Sequence, residues 1–304
     1  HSRFDRIAEH LHPGDALVVN VSRTLPAAVP AMSPRGEELV LHFSSPYPAD
    51  ERFWVVEPRL PAGAGTAPFR GVRAGDRLAL PGGASIDLRE PYLGERLWVA
   101  RPRMVGSVES YLGRRGGPIR YAYAAGEWGL DAYQTIFGIE PGSAEMPSAG
   151  RPFTPRTLAA LAARDVQVIP IVLHCGVSSL EDHESPLPER FAVSAASAAR
   201  LNGARGAGGR VVAIGTTAVR ALESAAGADG QIDATSGWTD VVIGPDRPVT
   251  AVDGLLTGWH EPGASHLDMI EAVAGPSLAA RSYASAVDQG YLWHEFGDVH
   301  LILP

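Results

Sequence analysis

The sequence predicts an α/β protein, a mixed sheet with flanking helices into which a small β-barrel domain is inserted. From Thr154 onward, segments with helical spacing of apolar residues alternate with short β-branched runs, as when strands and helices are laid in turn into one sheet. Between about Phe53 and Tyr111 the pattern changes to short alternating strands separated by Gly- and Pro-rich turns. The 304 residues then divide into an α/β domain of residues 1–52 and 116–304 and an inserted barrel domain of residues 53–115.

The opening residues run into a turn, His12-Pro13-Gly14-Asp15, followed by an apolar strand over 16–19. Strands over 53–56 and 96–99 represent the barrel, with the small-residue stretch 61–68 read as a flexible loop. Thr154 can cap a helix whose first residue is Pro155, with Leu158 and Leu161 on one face, and a strand follows over 166–172. A helix over 194–205 leads to a strand over 210–214, the tripeptide Gly215-Thr216-Thr217 and a helix over 218–226. A helix over 276–288 and a strand over 299–303 end the chain.

Composition bounds the function. With 45% hydrophobic and 20% charged residues the chain reads as an ordinary globular protein with a sizeable core. No apolar stretch approaches the roughly 18 residues that span a bilayer, and no basic-then-apolar signal opens the sequence, so a cytoplasmic location without membrane contact is expected. Cys175, the single cysteine, cannot form an intrachain disulfide, and no regular His and carboxylate spacing suggests a metal. The formal charge of -8 argues against RNA binding by bulk electrostatics, so any RNA contact must be local. Arg23, Arg101, Arg103, Arg114, Arg115 and Arg120 either form such a patch or are ordinary solvated surface.

Four segments carry chemistry. In Gly215-Thr216-Thr217 a strand hands over to a helix, with Arg220 one turn in and Glu223 beyond it. A helix N-terminus offers unpaired N–H groups to a carboxylate or phosphate, although a Thr cap with a surface Arg–Glu pair is the bland alternative. The loop from Pro147 to Thr154, preceded by Tyr133-Gln134-Thr135, lets backbone approach a flat ligand, and Phe153, Tyr133 or Phe137 would either stack on a purine or fill a core. His174, in Leu173-His174-Cys175-Gly176 at a strand end, is a general-base candidate or a structural hydrogen-bonder, while Cys175 reads as a small core residue. Ser236-Gly237-Trp238-Thr239-Asp240 and Leu255 through Pro262 each join an aromatic ring to hydroxyl and carboxylate groups, which suits a ribose or amine contact or simply a capped turn.

In this order the segments resemble the S-adenosylmethionine:tRNA ribosyltransferase-isomerase family of queuosine biosynthesis over essentially the whole chain. Pro13-Gly14-Asp15 through Asn20-Val21-Ser22-Arg23 to Ala27 is similar to P-G-D-x-L-V-x-N-D-T-R-V-x-P-A-R. Tyr133-Gln134-Thr135 and Pro147 to Phe153-Thr154 resemble Y-Q-T and P-T-A-G-L-H-F-T. Leu173 to Gly176 resembles L-H-V-G, Gly215 to Glu223 resembles G-T-T-x-x-R-x-L-E, Ser236 to Asp240 resembles S-G-x-T-D, and Phe296-Gly297-Asp298 resembles F-G-D. The resemblance implies an α/β domain with an inserted barrel. It also implies a transferase-isomerase that moves the ribosyl part of S-adenosylmethionine, its co-substrate, onto an amine of a 7-deazaguanine base in tRNA, releasing adenine and methionine without a metal.

It implies donor-binding roles for Phe153, Thr154, Gly215, Thr216, Thr217 and Arg220, with Arg220 and the two threonines at the carboxylate end and Phe153 at the adenine. His174 or His260, with Asp240, would be catalytic, and Asn20, Arg23, Tyr133, Gln134, Trp238 and Thr239 would meet the acceptor. The resemblance is that of a divergent member. Val21 stands where the family has Asp, Pro152 where it has His, Val177-Ser178-Ser179-Leu180 departs from its G-T-F, Leu187-Pro188-Glu189 from its H-S-E, and Gly258-Trp259 replaces Asn-Phe before His260. These departures keep open a relative acting on a non-tRNA acceptor and a non-catalytic nucleoside-binding homologue.

Overall fold

In the computed structural model the described residues are 1–63, 65–92, 96–120, 128–177, 186–261, 263–293 and 296–304. The apolar run that opens the chain forms β1 (Ala16–Asn20), buried at every position because both faces are covered. There follow β2 (Ser22–Thr24), β3 (Ala28–Met32), β4 (Glu38–Pro46), β5 (Trp54–Ala62), β6 (Gly65–Pro68), β7 (Arg77–Ala79), β8 (Ser85–Pro91) and β9 (Trp98–Arg103). Helix α1 (Val108–Arg115) and strand β10 (Glu140–Ser143) lead to α2 (Pro155–Ala162), β11 (Gln167–Leu173), β12 (Glu189–Val193) and α3 (Ala195–Gly206). The remaining elements are β13 (Val211–Ile214), α4 (Thr216–Ala225), β14 (Thr235–Thr239), β15 (Gly254–Gly258), α5 (His266–Ala274), α6 (Pro276–Asp288) and β16 (Val299–Ile302).

The main sheet has the order β14-β12-β11-β1-β13-β15-β16. β1 is parallel to β11 and β13, and β13 to β15, while antiparallel β12 and β14 complete one edge and β16 the other. It is the mixed sheet expected. Alternate residues of β1 go to opposite faces: Ala16 and Val18 pack under α3, α4 and α5, and Leu17 and Val19 meet α2 and the N-terminal turn at Ile7 and Leu11. α2 starts as anticipated, because the Thr154 hydroxyl accepts from the Thr157 N–H while the Thr157 hydroxyl accepts from the Thr154 N–H.

β3, β7, β8, β9, β5 and β4 close an antiparallel barrel through the β4–β5 pairing, with β6 added outside β5. The expected insert boundary at residue 53 thus falls between two barrel strands. β3 and β4 pair with each other and turn Val29, Ala31, Leu39, Leu41 and Phe43 into the barrel core, a period-two pattern broken only by the turn at Ser33–Gly36. The described residues of the stretch read as a flexible loop pair as the ends of β5 and β6, where Pro61 faces Thr66 and Ala62 faces Gly65. Parallel β2 and β10 form a two-stranded ribbon beside the main sheet, continued by a Leu25 N–H to Ser143 carbonyl bond of 2.8 Å.

Candidate functional site

The parallel strands β1, β11, β13 and β15 end together, and connections leaving those ends surround a cavity of about 170 Å³. Ligands of open α/β sheets collect at such carboxyl ends. One wall is the loop Pro147-Ser148-Ala149, a second is Cys175-Gly176-Val177, a third is the start of α4, and the fourth is Gly258, His260, His266 and Met269. Val177 also belongs to the barrel core, so the barrel backs the cavity.

α4 presents an uncapped end. Gly215 stands before it at φ 91° and ψ 154°, a conformation that suits glycine alone, and its N–H donates 2.7 Å to the Leu256 carbonyl. No side chain caps the helix, and the N–H groups of Thr216 and Thr217 have no partner among the described residues. Asn20 holds this turn in place: its amide donates to the Leu173 carbonyl at 2.7 Å and the Thr217 hydroxyl at 3.3 Å, and its carbonyl accepts from the N–H groups of Leu173 and Ser22.

Arg220 lines the cavity but is committed elsewhere. Its guanidinium is buried, donates to the carbonyls of Val241 at 3.0 Å, Leu187 at 3.0 Å and Thr239 at 3.2 Å, and pairs with the Glu189 carboxylate. This is a frame rather than a free cation, so Arg220 acts on a bound anion at most through its field. The other Glu189 oxygen accepts from the Gly176 N–H at 3.0 Å. Burial pushes the Glu189 carboxyl above its usual range, with Arg220 and the Gly176 N–H pulling it back. Among the described residues the lining also carries the Glu145 carboxylate, so it presents two carboxylates beside the Arg220 guanidinium. Burial, reinforced by Glu189, drives the Cys175 thiol upward, so it is an inert core group as expected.

His260 reaches the cavity. Its Nε2 is hydrogen-bonded to the Thr257 hydroxyl at 2.9 Å, and its backbone N–H donates to the Tyr283 hydroxyl at 3.2 Å. His174 does not line it. Its Nδ1 bonds the Ser22 hydroxyl at 2.7 Å, which continues at 2.6 Å to Ser143, and its ring fills the space beside Gly142 where a Cβ would clash. Burial holds the His174 pKa below its ordinary value.

Gly215, Thr216, Thr217, Arg220 and His260 therefore line one cavity, Asn20 reaches it through its bond to the Thr217 hydroxyl, and the other expected site residues do not line it. Phe153 is edge-on to Phe4 and Phe137, at 4.9 and 5.2 Å, in the core behind Ala149, so its ring is unavailable to an adenine here. Thr154 is spent on the α2 cap. Gln134 brackets the Thr24 backbone, donating at 2.9 Å and accepting at 3.1 Å, and Tyr133 packs against Phe296. The Thr239 hydroxyl accepts from Ser224 and Val241. Trp238 is half-buried on β14, Arg23 and Asp240 are exposed, and none of the three lines the cavity. Ser178 to Leu180 lie outside the described residues.

Glu145, Glu189 and His266 line the cavity without having been picked out for it. Glu189 stood in a segment noted only for its departure from the family pattern. His266 follows the flagged turn at Gly258 and opens a helix whose apolar residues Leu267, Ile270 and Val273 are legible in the sequence. Among the described residues no group of three His, Cys, Asp or Glu side chains could hold a metal ion. No helix among them is long and apolar enough to cross a membrane.

Comparison with known proteins bears on this site. A family model described as queuosine biosynthesis protein matches residues 1–302. A protein of Moorella thermoacetica named S-adenosylmethionine:tRNA ribosyltransferase-isomerase is 35% identical over 315 residues, spanning 100% of this chain and 89% of that protein. The protein of the same name from Anaeromyxobacter dehalogenans is 36% identical over 317 residues, spanning 100% and 88%. The crystal structure of an S-adenosylmethionine tRNA ribosyltransferase from Thermotoga maritima matches with a TM-score of 0.51 and 27% identity, over 99% of this chain and 86% of that one.

Proposed function

The chain belongs to the queuosine biosynthesis protein family, and on that premise we propose that it is an S-adenosylmethionine:tRNA ribosyltransferase-isomerase. It moves the ribosyl part of S-adenosylmethionine onto an amine of a 7-deazaguanine base in tRNA and releases adenine and methionine. The observation that carries this reading is the junction of three features in one cavity: the uncapped start of α4, the Glu145 and Glu189 carboxylates, and the His260 imidazole.

Each feature answers a demand of the donor. A methionine carboxylate fits the free N–H groups of Thr216 and Thr217 and the positive end of the helix, with the two hydroxyls beside them. The sulfonium and ammonium are cations, which the Glu145 and Glu189 carboxylates of the lining attract. The sulfonium acidifies the hydrogens of the carbons next to it, and His260 is a base within the cavity that takes one. Arg220 and Asn20 position these groups: Arg220 fixes Glu189, and Asn20 fixes the turn that carries Thr217. Phe153 supports the Ala149 wall from behind, and Thr154 fixes the helix that follows it. On the acceptor side, exposed Arg23 is available to a phosphate, while Tyr133, Gln134 and Thr239 are framework.

Adenine and methionine release from S-adenosylmethionine, with and without tRNA carrying the aminomethyl-deazaguanine base, tests the reading. Release that requires this tRNA is the expected result. A protein that binds the donor but releases neither product with the modified tRNA would overturn it.

A further inference from the structure

We propose that His266 is a second catalytic residue of this cavity, acting with His260 as a dyad that carries at most one proton. The inference rests on the ribosyl-transfer reading above and gives a role to a residue that reading does not use. The two rings lie face to face, with centroids 4.3 Å apart and planes 2° from parallel, and both line the cavity. His260 is anchored through Thr257, whereas the His266 ring has no hydrogen-bond partner among the described residues. A histidine is also a poor structural choice for the first residue of a helix, where the positive dipole end opposes its charged form.

Two imidazolium rings at this separation repel each other strongly. The other groups of the cavity set the limit. Arg220 and the α5 N-terminus oppose a second proton, Glu145 and Glu189 favour a first, and Cys175 stays a neutral thiol. Glu261 and Asp268, near the pair in the chain, are exposed to solvent. Burial, with Arg220 adding to it, holds the His266 pKa down at about 4, so the resting dyad is neutral on that side and its conjugate acid is a strong one.

Ribosyl transfer needs a proton removed and a proton supplied. The C–H bond beside the sulfonium breaks, its electron pair stays on carbon, and the proton goes to His260. A solvent-bridged transfer passes it to His266. When the bond between the ribosyl carbon and adenine breaks, its electron pair leaves on the purine nitrogen, which takes that proton from His266. The pair kept from the C–H bond makes good the ribosyl carbon that loses adenine, and the amine's bond to carbon forms as the carbon–sulfur bond breaks with its pair on sulfur, which leaves as the neutral thioether of methionine. The dyad ends as it began, and the proton lost by the attacking amine goes to solvent and carries away the positive charge of the consumed sulfonium.

The test compares wild type, His266→Gln and His260→Gln. It follows adenine release with the modified tRNA from pH 5 to 9, donor affinity by calorimetry, and solvent deuterium uptake beside the sulfonium by mass spectrometry. His266→Gln is expected to bind the donor within about threefold of wild type and still exchange deuterium, but to release adenine about 100-fold more slowly with an altered pH profile. His260→Gln should lose exchange and release together. Adenine release by His266→Gln within about threefold of wild type, or a loss explained by donor binding alone, would overturn the inference. A wild type that binds the donor but never releases adenine would instead sink the parent reading. The dyad is then judged by NMR titration of the ring protons: one proton taken up by the pair between pH 8 and 4 supports it, and two independent titrations near the ordinary pKa of about 6.5 overturn it.

Discussion

Replacing Arg220 by Ala removes the one cation among the described residues that pairs with the buried Glu189 carboxylate and strips a donor from the carbonyls of Val241, Leu187 and Thr239. The Arg220 and Glu189 side chains are only 7% and 12% exposed, so water does little to replace what is lost. Breaking a buried pair from one side costs about 3–5 kcal/mol, because the surviving charge keeps its desolvation penalty. A surface arginine reaching out to a donor carboxylate would behave differently: its loss would weaken donor affinity by about 1–3 kcal/mol and barely change stability. Urea unfolding with an unchanged denaturant slope separates the two, and Arg220→Ala should lower the midpoint by an amount equivalent to at least about 3 kcal/mol. Replacing Arg220 and Glu189 together by Met should recover much of that loss, since no charge is then stranded. A stability loss below about 1 kcal/mol, combined with a large fall in donor affinity, would refute the framing role and restore Arg220 as a direct ligand.

Other outcomes follow from the same geometry. His260→Gln should reduce adenine release by about 10²–10⁴-fold, while His174→Gln, outside the cavity, should leave the rate within a few fold; steady-state assays of both variants check this. Gly215→Ala forces an L-residue to φ 91° with its Cβ 3.3 Å from that of Ala149, and should cost about 1–2 kcal/mol in thermal unfolding while weakening donor binding. Burial keeps His266 and His300 near a pKa of about 4 and His42 near about 3, so all three resist protonation in the fold. Their folded values lie below the unfolded value of about 6.5. The stability they support is therefore present above that pH and declines as pH falls from about 6.5 toward 4, and a fold equally stable at pH 4.5 and 7 would contradict this.

The local chemistry of the chain was legible because it depends on near neighbours. The all-buried β1, the Thr154–Pro155 start of α2 and the strand–Gly215–helix unit follow from apolar period, a capping hydroxyl and glycine. The order of motifs was enough to point to the family. What no spacing could decide was which side of each element faces what. Phe153 and His174 carry the right chemistry, but their rings are claimed by Phe4 and Phe137 and by Ser22, residues 16 to 152 positions away in the chain. Arg220 lines the cavity, yet it is spent on a carboxylate and three carbonyls that only the folded sheet brings to it. The barrel begins at β3 because the β4–β5 pairing closes it, a contact between strands that a local pattern does not encode. Likewise Glu145, Glu189, His260 and His266 share one cavity because four parallel strands end at one edge of the sheet. Burial and pairing are properties of neighbours in space, so they fixed the roles of residues whose identities the sequence had already supplied.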